Sequence, residues 1–138
     1  MKDAPTDSCY RKTFTLNTGS KMPAIGLGTW QSKPNEVRNA VKDALLAGYR
    51  HIDTALAYGN EHEVGQGIKD SGVPREEIWV TTKLDNTWHH RVTDGINSSL
   101  KSLDMDYVDL YLMVRIISDV RDIPSDQNLA LAQLHRSR

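Results

Sequence analysis

Apolar positions along the chain change period in a regular way. Four short apolar runs end in a turn signal or a charged residue: Ala24–Gly28, Tyr49–Asp53, Ile78–Thr82 and Tyr107–Leu112. Their starts recur every 25 to 29 residues, and their length suits buried strands. Between them the period lengthens to that of a helix. Val37, Val41, Ala44 and Leu45 share one face, with Pro34 near the start and Gly48 just past the end, the order in which these residues bound helices. A second helix opens at Asn60, where Glu63 suits a capping box, and runs through Val64 and Ile68 to Gly72-Val73-Pro74. A third is predicted from about Trp88 to Leu103, with Val92, Ile96, Leu100 and Leu103 as its apolar stripe. Alternating strands and helices mean parallel strands joined by helical crossovers, because a parallel connection needs a dozen or more residues. Ahead of the first run, Thr13–Leu16, a turn over Asn17–Ser20 and Lys21–Pro23 read as a hairpin.

The character changes after Met113. Residues 114–138 hold four Arg and no Lys, against five Arg and eight Lys before them, and contain neither Gly nor an aromatic residue. Ser125 could cap a short helix through Leu129, Ala132 and Leu134. The chain thus divides into a polar segment (1–12), an alternating domain (13–113) and a tail of different composition (114–138).

Composition narrows the function classes. Seventeen Lys and Arg against 18 Asp and Glu give a net charge of −1, without the clustered basic excess of a nucleic-acid or anionic-membrane binder. No apolar run approaches the ~20 residues of a membrane span, and the first dozen residues lack a signal-peptide core. A single cysteine, Cys9, fits a reducing compartment, so the expected location is cytoplasmic.

Charge also sits where parallel βα architectures place their chemistry. Asp53 ends the second run, Lys83 directly follows the third, and Tyr58 lies in the loop after Asp53. At the carboxyl ends of parallel strands all three would face one crevice. A Lys ammonium beside a phenol favours the phenolate, a Tyr so placed can hand a proton to a developing alkoxide, and an Asp can hold the Lys charged and oriented. The same positions also suit a structural ion pair between neighbouring strands with Tyr58 merely packed beside it, and sequence position alone leaves both open.

Beyond those three residues, the stretch Gly48-Tyr49-Arg50-His51-Ile52-Asp53-Thr54-Ala55, continuing through Tyr58 and Asn60-Glu61 to Gly65, resembles the aldo-keto reductase signature. The hairpin before Met22-Pro23, the run Gly26-Leu27-Gly28-Thr29-Trp30, and Thr81-Thr82-Lys83-Leu84 resemble the same family in the same order, from about Phe14 to Met113. The resemblance implies an α/β fold, the N-terminal half of a (β/α)8 TIM barrel preceded by a β-hairpin. It implies NADPH-dependent reduction of aldehydes and ketones, with a small-molecule carbonyl substrate and no nucleic-acid or membrane partner. Asp53, Tyr58 and Lys83 map onto three of the family's four catalytic residues. Gly28, Thr29 and Asp53 map to the cofactor, and Trp30 to the substrate pocket or to a cap on the core. The fourth catalytic residue, a His after the fourth strand, has no counterpart: Val114-Arg115-Ile116 stands there and the resemblance stops, so 13–113 is expected to be a partial family domain and 114–138 a non-family tail, an abrupt break of the kind a frame error or translated intron would leave.

A complete barrel of this type needs ~250 residues, so these strands cannot close one. The resulting expectation is an aldo-keto reductase chain that is truncated and inactive by itself, with most of the cofactor site missing. The alternative is a non-catalytic product or regulatory partner with the same fold. Other features invite weaker readings. His51 and Asp53 share a strand face at a spacing used for metal ligands, but no later strand ends in His, and no metal is expected. His89-His90 suits a solvated helix start. Gly26-Leu27-Gly28 lacks the third glycine of a dinucleotide loop. Trp79 reads as core packing or helix-facing, and Trp88 as either wall or core.

Overall fold

The hairpin forms from strands β1 (Thr13–Thr15) and β2 (Lys21–Pro23), paired antiparallel through a turn in which Gly19 takes φ +85°, a conformation glycine adopts without strain. The computed structural model describes residues 12–113 and 131–132. Strand β3 (Leu27–Gly28), helix α1 (Val37–Leu46), strand β4 (His51–Asp53), helix α2 (Glu61–Ser71), strand β5 (Trp79–Leu84), helix α3 (Val92–Leu103) and strand β6 (Leu110–Met113) then alternate as the periodicity predicts. Strands β3 to β6 lie side by side in sequence order, all parallel.

Register sets which side chains share a face. Asp53 lies beside Thr81 and Thr81 beside Leu110, so His51, Asp53, Trp79, Thr81 and Lys83 line one face. Ile52, Val80 and Leu84 occupy the other, where they bury against Val37, Val41 and Leu45 of α1, Val64 and Ile68 of α2, and Leu103 of α3. The core is therefore one sheet face covered by helices. Two glycines let those helices close in: a Cβ on Gly65 would collide with the Leu103 carbonyl, and one on Gly67 with the Arg38 carbonyl.

Several boundaries differ from the sequence expectation. The first strand is Leu27–Gly28 rather than Ala24–Gly28, because the Ala24 amide bonds the Lys12 carbonyl and stays with the hairpin. The fourth starts at Leu110 rather than Tyr107. At its entry a side chain replaces part of the ladder, the Asp109 carboxylate accepting both the Val80 amide (2.9 Å) and the Arg75 guanidinium (2.7 Å). No capping box closes α2. Asn60 instead donates to the Thr29 carbonyl (2.8 Å), and Glu63 accepts the Asn35 amide (3.1 Å), so both side chains serve tertiary bonds. Helix α3 starts at Val92, after a short turn at Asn86–Trp88, and it buries Gly95, Ser99 and Leu103 while Val92 is exposed.

In the tail, Leu131–Ala132 form a two-residue strand, β7, antiparallel to β6, where a helix was expected. Unsatisfied main-chain groups on the outer side of Tyr111 and Leu112 favour strand pairing over a brief helical pattern. The other residues of that expected helix, and residues 1–11 of the polar segment, lie outside the described residues. Among the described residues no helix is long and apolar enough to cross a membrane.

Candidate active site

Asp53 ends β4 and Lys83 sits near the end of β5, one strand over and on the same face. The segment leaving β4 turns through Leu56–Tyr58 and is closed by Gly59 at φ +69°, which folds Tyr58 back over the strand ends. The Lys83 ammonium spends all three protons there. It donates to Asp53 Oδ1 at 2.5 Å, to the Thr54 carbonyl at 2.8 Å and to the Tyr58 hydroxyl at 3.1 Å. The Lys83 side chain is 16% exposed and that of Asp53 39%, so the pair is shielded from water without being sealed off. The edge of Trp30 meets Tyr58 with ring centroids 5.1 Å apart. A cavity of about 580 Å³ opens beside them, lined among others by Trp30, Ala55, Tyr58, Lys83, Asp85 and Asn86.

A buried polar layer holds this arrangement from below. Thr29 donates to the Thr54 hydroxyl at 3.0 Å, the Thr29 amide bonds the Asp53 carbonyl, and the Thr54 amide bonds the Thr81 carbonyl. With Asn60 on the Thr29 carbonyl, the loops after β3 and β4 and the start of α2 form one hydrogen-bonded unit. Of the residues assigned to the cofactor from sequence, Asp53 lies at the cluster. Gly28 is exposed with open space before it, and Thr29 keeps its hydroxyl in the buried layer.

The remaining residues singled out in the sequence occupy distinct places. His51 directs Nδ1 to the Pro23 carbonyl (3.1 Å) and Nε2 to the Thr81 hydroxyl (3.0 Å), and burial pushes its pKa down. Both ring nitrogens are thereby occupied within the protein. Trp79 is buried on the sheet's inner face, its indole N–H donating to Thr81 Oγ1 at 3.2 Å. Trp88 packs against the core beneath the Arg91 guanidinium.

Sequence reasoning missed Glu61. It lies on the first turn of α2, where acidic residues are usually solvated, yet it is 3% exposed and accepts the Thr82 hydroxyl at 2.6 Å behind the sheet. Burial raises its pKa above the ordinary 4.5, with the Thr82 bond opposing the shift. Tyr111 shares the site, and burial, aided by the Glu61 charge, pushes its phenol up to about 12. A carboxyl raised on folding binds more protons in the native state than in the unfolded one. Its contribution is full below about 4.5 and is lost as pH rises through the folded value. Urea unfolding of the chain between acid and neutral pH should therefore show stability falling with pH from this group, and Glu61→Gln should remove that slope. A wild-type and a variant curve running parallel would show that Glu61 is not the source.

Comparison with known proteins decides the family. The model of the aldo/keto reductase family matches residues 24–137. The chain belongs to the aldo/keto reductase family. Glycerol 2-dehydrogenase (NADP(+)) of Saccharomyces cerevisiae is 64% identical over 102 residues, which cover 74% of this chain and 33% of that protein. The crystal structure of an aldo-keto reductase from a Medee basin deep-sea metagenome is 59% identical with a TM-score of 0.70, covering 72% of this chain and 38% of that one. The Bombyx mori aldo-keto reductase, solved in complex with NADP, is 46% identical with a TM-score of 0.69 over 74% of this chain and 37% of that one. This aldo/keto reductase chain thus spans about a third of the length of the curated relatives it matches. Its parallel sheet, with helices on one face, is the N-terminal part of the family barrel. The family match runs on past Met113, across the change in composition at that residue.

Proposed function

We propose that the chain carries the proton-transfer group of an NADP-dependent aldo/keto reductase that reduces aldehydes or ketones to alcohols. The observation that carries this reading is the single ammonium of Lys83 bound at once to Asp53, the Thr54 carbonyl and the Tyr58 hydroxyl, beside a cavity large enough for a small carbonyl compound. In this reading the Tyr58 hydroxyl donates a proton to the carbonyl oxygen as negative charge develops there. The ammonium 3.1 Å away stabilises the charge left on the phenol. Asp53 and the Thr54 carbonyl fix the ammonium, and Trp30 limits where the phenol ring can lie.

The residues present fit the reacting end of a nicotinamide cofactor, with a partly apolar wall, a proton donor and room beside it. Among the described residues they do not supply its phosphate site, since Lys83 is the one described cation lining the cavity and its charge is met by Asp53. When bound, such a cofactor supplies the hydride. Gly28 would meet it with its exposed main chain, whereas Thr29 is buried with its amide on the Asp53 carbonyl, its carbonyl on Asn60 and its hydroxyl on Thr54, and would support the cofactor site from beneath.

Two preparations test the reading. Residues 1–113 fused to the remainder of the yeast glycerol 2-dehydrogenase should reduce small aldehydes with NADPH. The 138-residue chain alone should show no measurable turnover, because Val114 stands where the family resemblance expects His and the described residues of the cavity wall hold no phosphate site. A folded fusion that binds NADPH yet reduces no carbonyl compound would favour the alternative, a non-catalytic partner with the reductase fold.

A further inference from the structure

Resting on the reading of this cavity as a carbonyl pocket, we infer that Asp85 makes it selective for neutral, hydroxyl-bearing carbonyl compounds and against those carrying a carboxylate or phosphate. Asp85 follows the end of β5 and belongs to the cavity wall with Asn86. One oxygen, Oδ1, accepts both the Thr87 amide (2.8 Å) and the Thr87 hydroxyl (2.6 Å), which fixes the carboxylate in place. The same bonds from Thr87, hydroxyl first and then amide, hold it below the usual carboxylate range, so it is anionic at neutral pH.

The charge count in the wall is what makes this residue selective. Among the described residues, Lys83 and Asp85 are the charged ones lining the cavity, and the Lys83 charge is compensated by its contact with Asp53. His89 also bears on Asp85 electrostatically, from the turn that follows. The pocket wall therefore carries, besides the Lys83–Asp53 pair, a negative charge held in place by Thr87. An ionised carboxylate only accepts hydrogen bonds, so it matches hydroxyl groups on a bound compound and repels a second anion. The proton-donating cluster sits at strand ends, whereas Asp85 sits on the turn beyond. Its charge thus acts on the substituents of a bound carbonyl compound and leaves proton transfer to Tyr58.

A matched pair of aldehydes tests this: 4-(hydroxymethyl)benzaldehyde and 4-carboxybenzaldehyde, titrated into the 138-residue chain and followed by tryptophan fluorescence, since Trp30 lines the cavity. The neutral aldehyde should bind at least about tenfold more tightly than the carboxylate. Asp85→Asn should bring the two within about twofold by strengthening carboxylate binding alone. Asp85→Ser, which keeps an oxygen for the Thr87 amide, should do the same and separates loss of charge from loss of the turn. Equal binding of the two aldehydes by the native chain, or a preference unchanged in both variants, overturns the inference and leaves the proposed reaction standing. Binding of neither aldehyde overturns the inference together with the pocket reading. Charge selectivity that holds while the fusion protein reduces nothing keeps the inference as a binding property and removes the reaction.

Discussion

Lys83→Met in the fusion with the yeast dehydrogenase is expected to lower kcat/KM for aldehyde reduction by at least the ~10² typical of losing a participant in general acid catalysis. Methionine nearly preserves the length of the side chain but removes the charge and every hydrogen bond it makes. The phenol of Tyr58 loses the cation 3.1 Å from its oxygen, so the charge that proton donation leaves behind has no compensating neighbour. Asp53 loses its partner as well, but its side chain is 39% exposed and water can replace the ammonium there. The fold should therefore survive, with the loss falling on kcat more than on KM. Steady-state rates at neutral pH together with a thermal melt check both halves of this statement. An unchanged rate would take Lys83 out of the mechanism and leave its contact with Asp53 as an ordinary ion pair.

The parts of the site that could be read from sequence are those where chain geometry leaves little choice. A charged residue closing an apolar run of strand length must emerge at the strand's end. Parallel strands emerge on the same side, so Asp53 and Lys83 were bound to approach each other. Tyr58 followed from its place in the short loop after β4, and the shape of that loop depends on Gly59 and on the Asn60 bond to Thr29. What stayed hidden depends on contacts between distant segments. Glu61 has the sequence context of a solvated helix start, and its burial comes from the approach of α2 to the back of β5, where Thr82 waits for it. Asp85 and Asn86 look like turn residues, and only the arrangement of the neighbouring loops makes them a pocket wall.

The same contrast runs through the fold. Period alone placed the helices and the parallel order of the strands. It placed Ile96, Leu100 and Leu103 of α3 against the core, as found, but gave no sign that Gly95 and Ser99 are buried beside them, where small residues allow close packing: a Cβ on Gly95 would meet Leu84, Tyr111 and Trp88. Val92, the first position of the expected apolar stripe, is 39% exposed. At β6 the late start reflects the competition between main-chain pairing and the Asp109 carboxylate, a tertiary contact to Arg75 and Val80 that no local pattern announces.

The central claim is that Tyr58 delivers the proton, and Tyr58→Phe tests it by removing one oxygen atom while keeping the ring that packs against Trp30. In the fusion protein, loss of the proton donor should lower the single-turnover rate of aldehyde reduction by about 10²- to 10⁴-fold. Binding of NADPH and of the neutral aldehyde should change little, since the ring and the Lys83–Asp53 pair stay in place. A single-turnover measurement with NADPH in excess, read by loss of cofactor absorbance, isolates this step from product release. A rate reduced by two orders of magnitude or more with binding retained is the result expected here. A Tyr58→Phe protein that reduces the aldehyde at the native rate would show that the proton comes from elsewhere and that the contact between Lys83 and Tyr58 is structural.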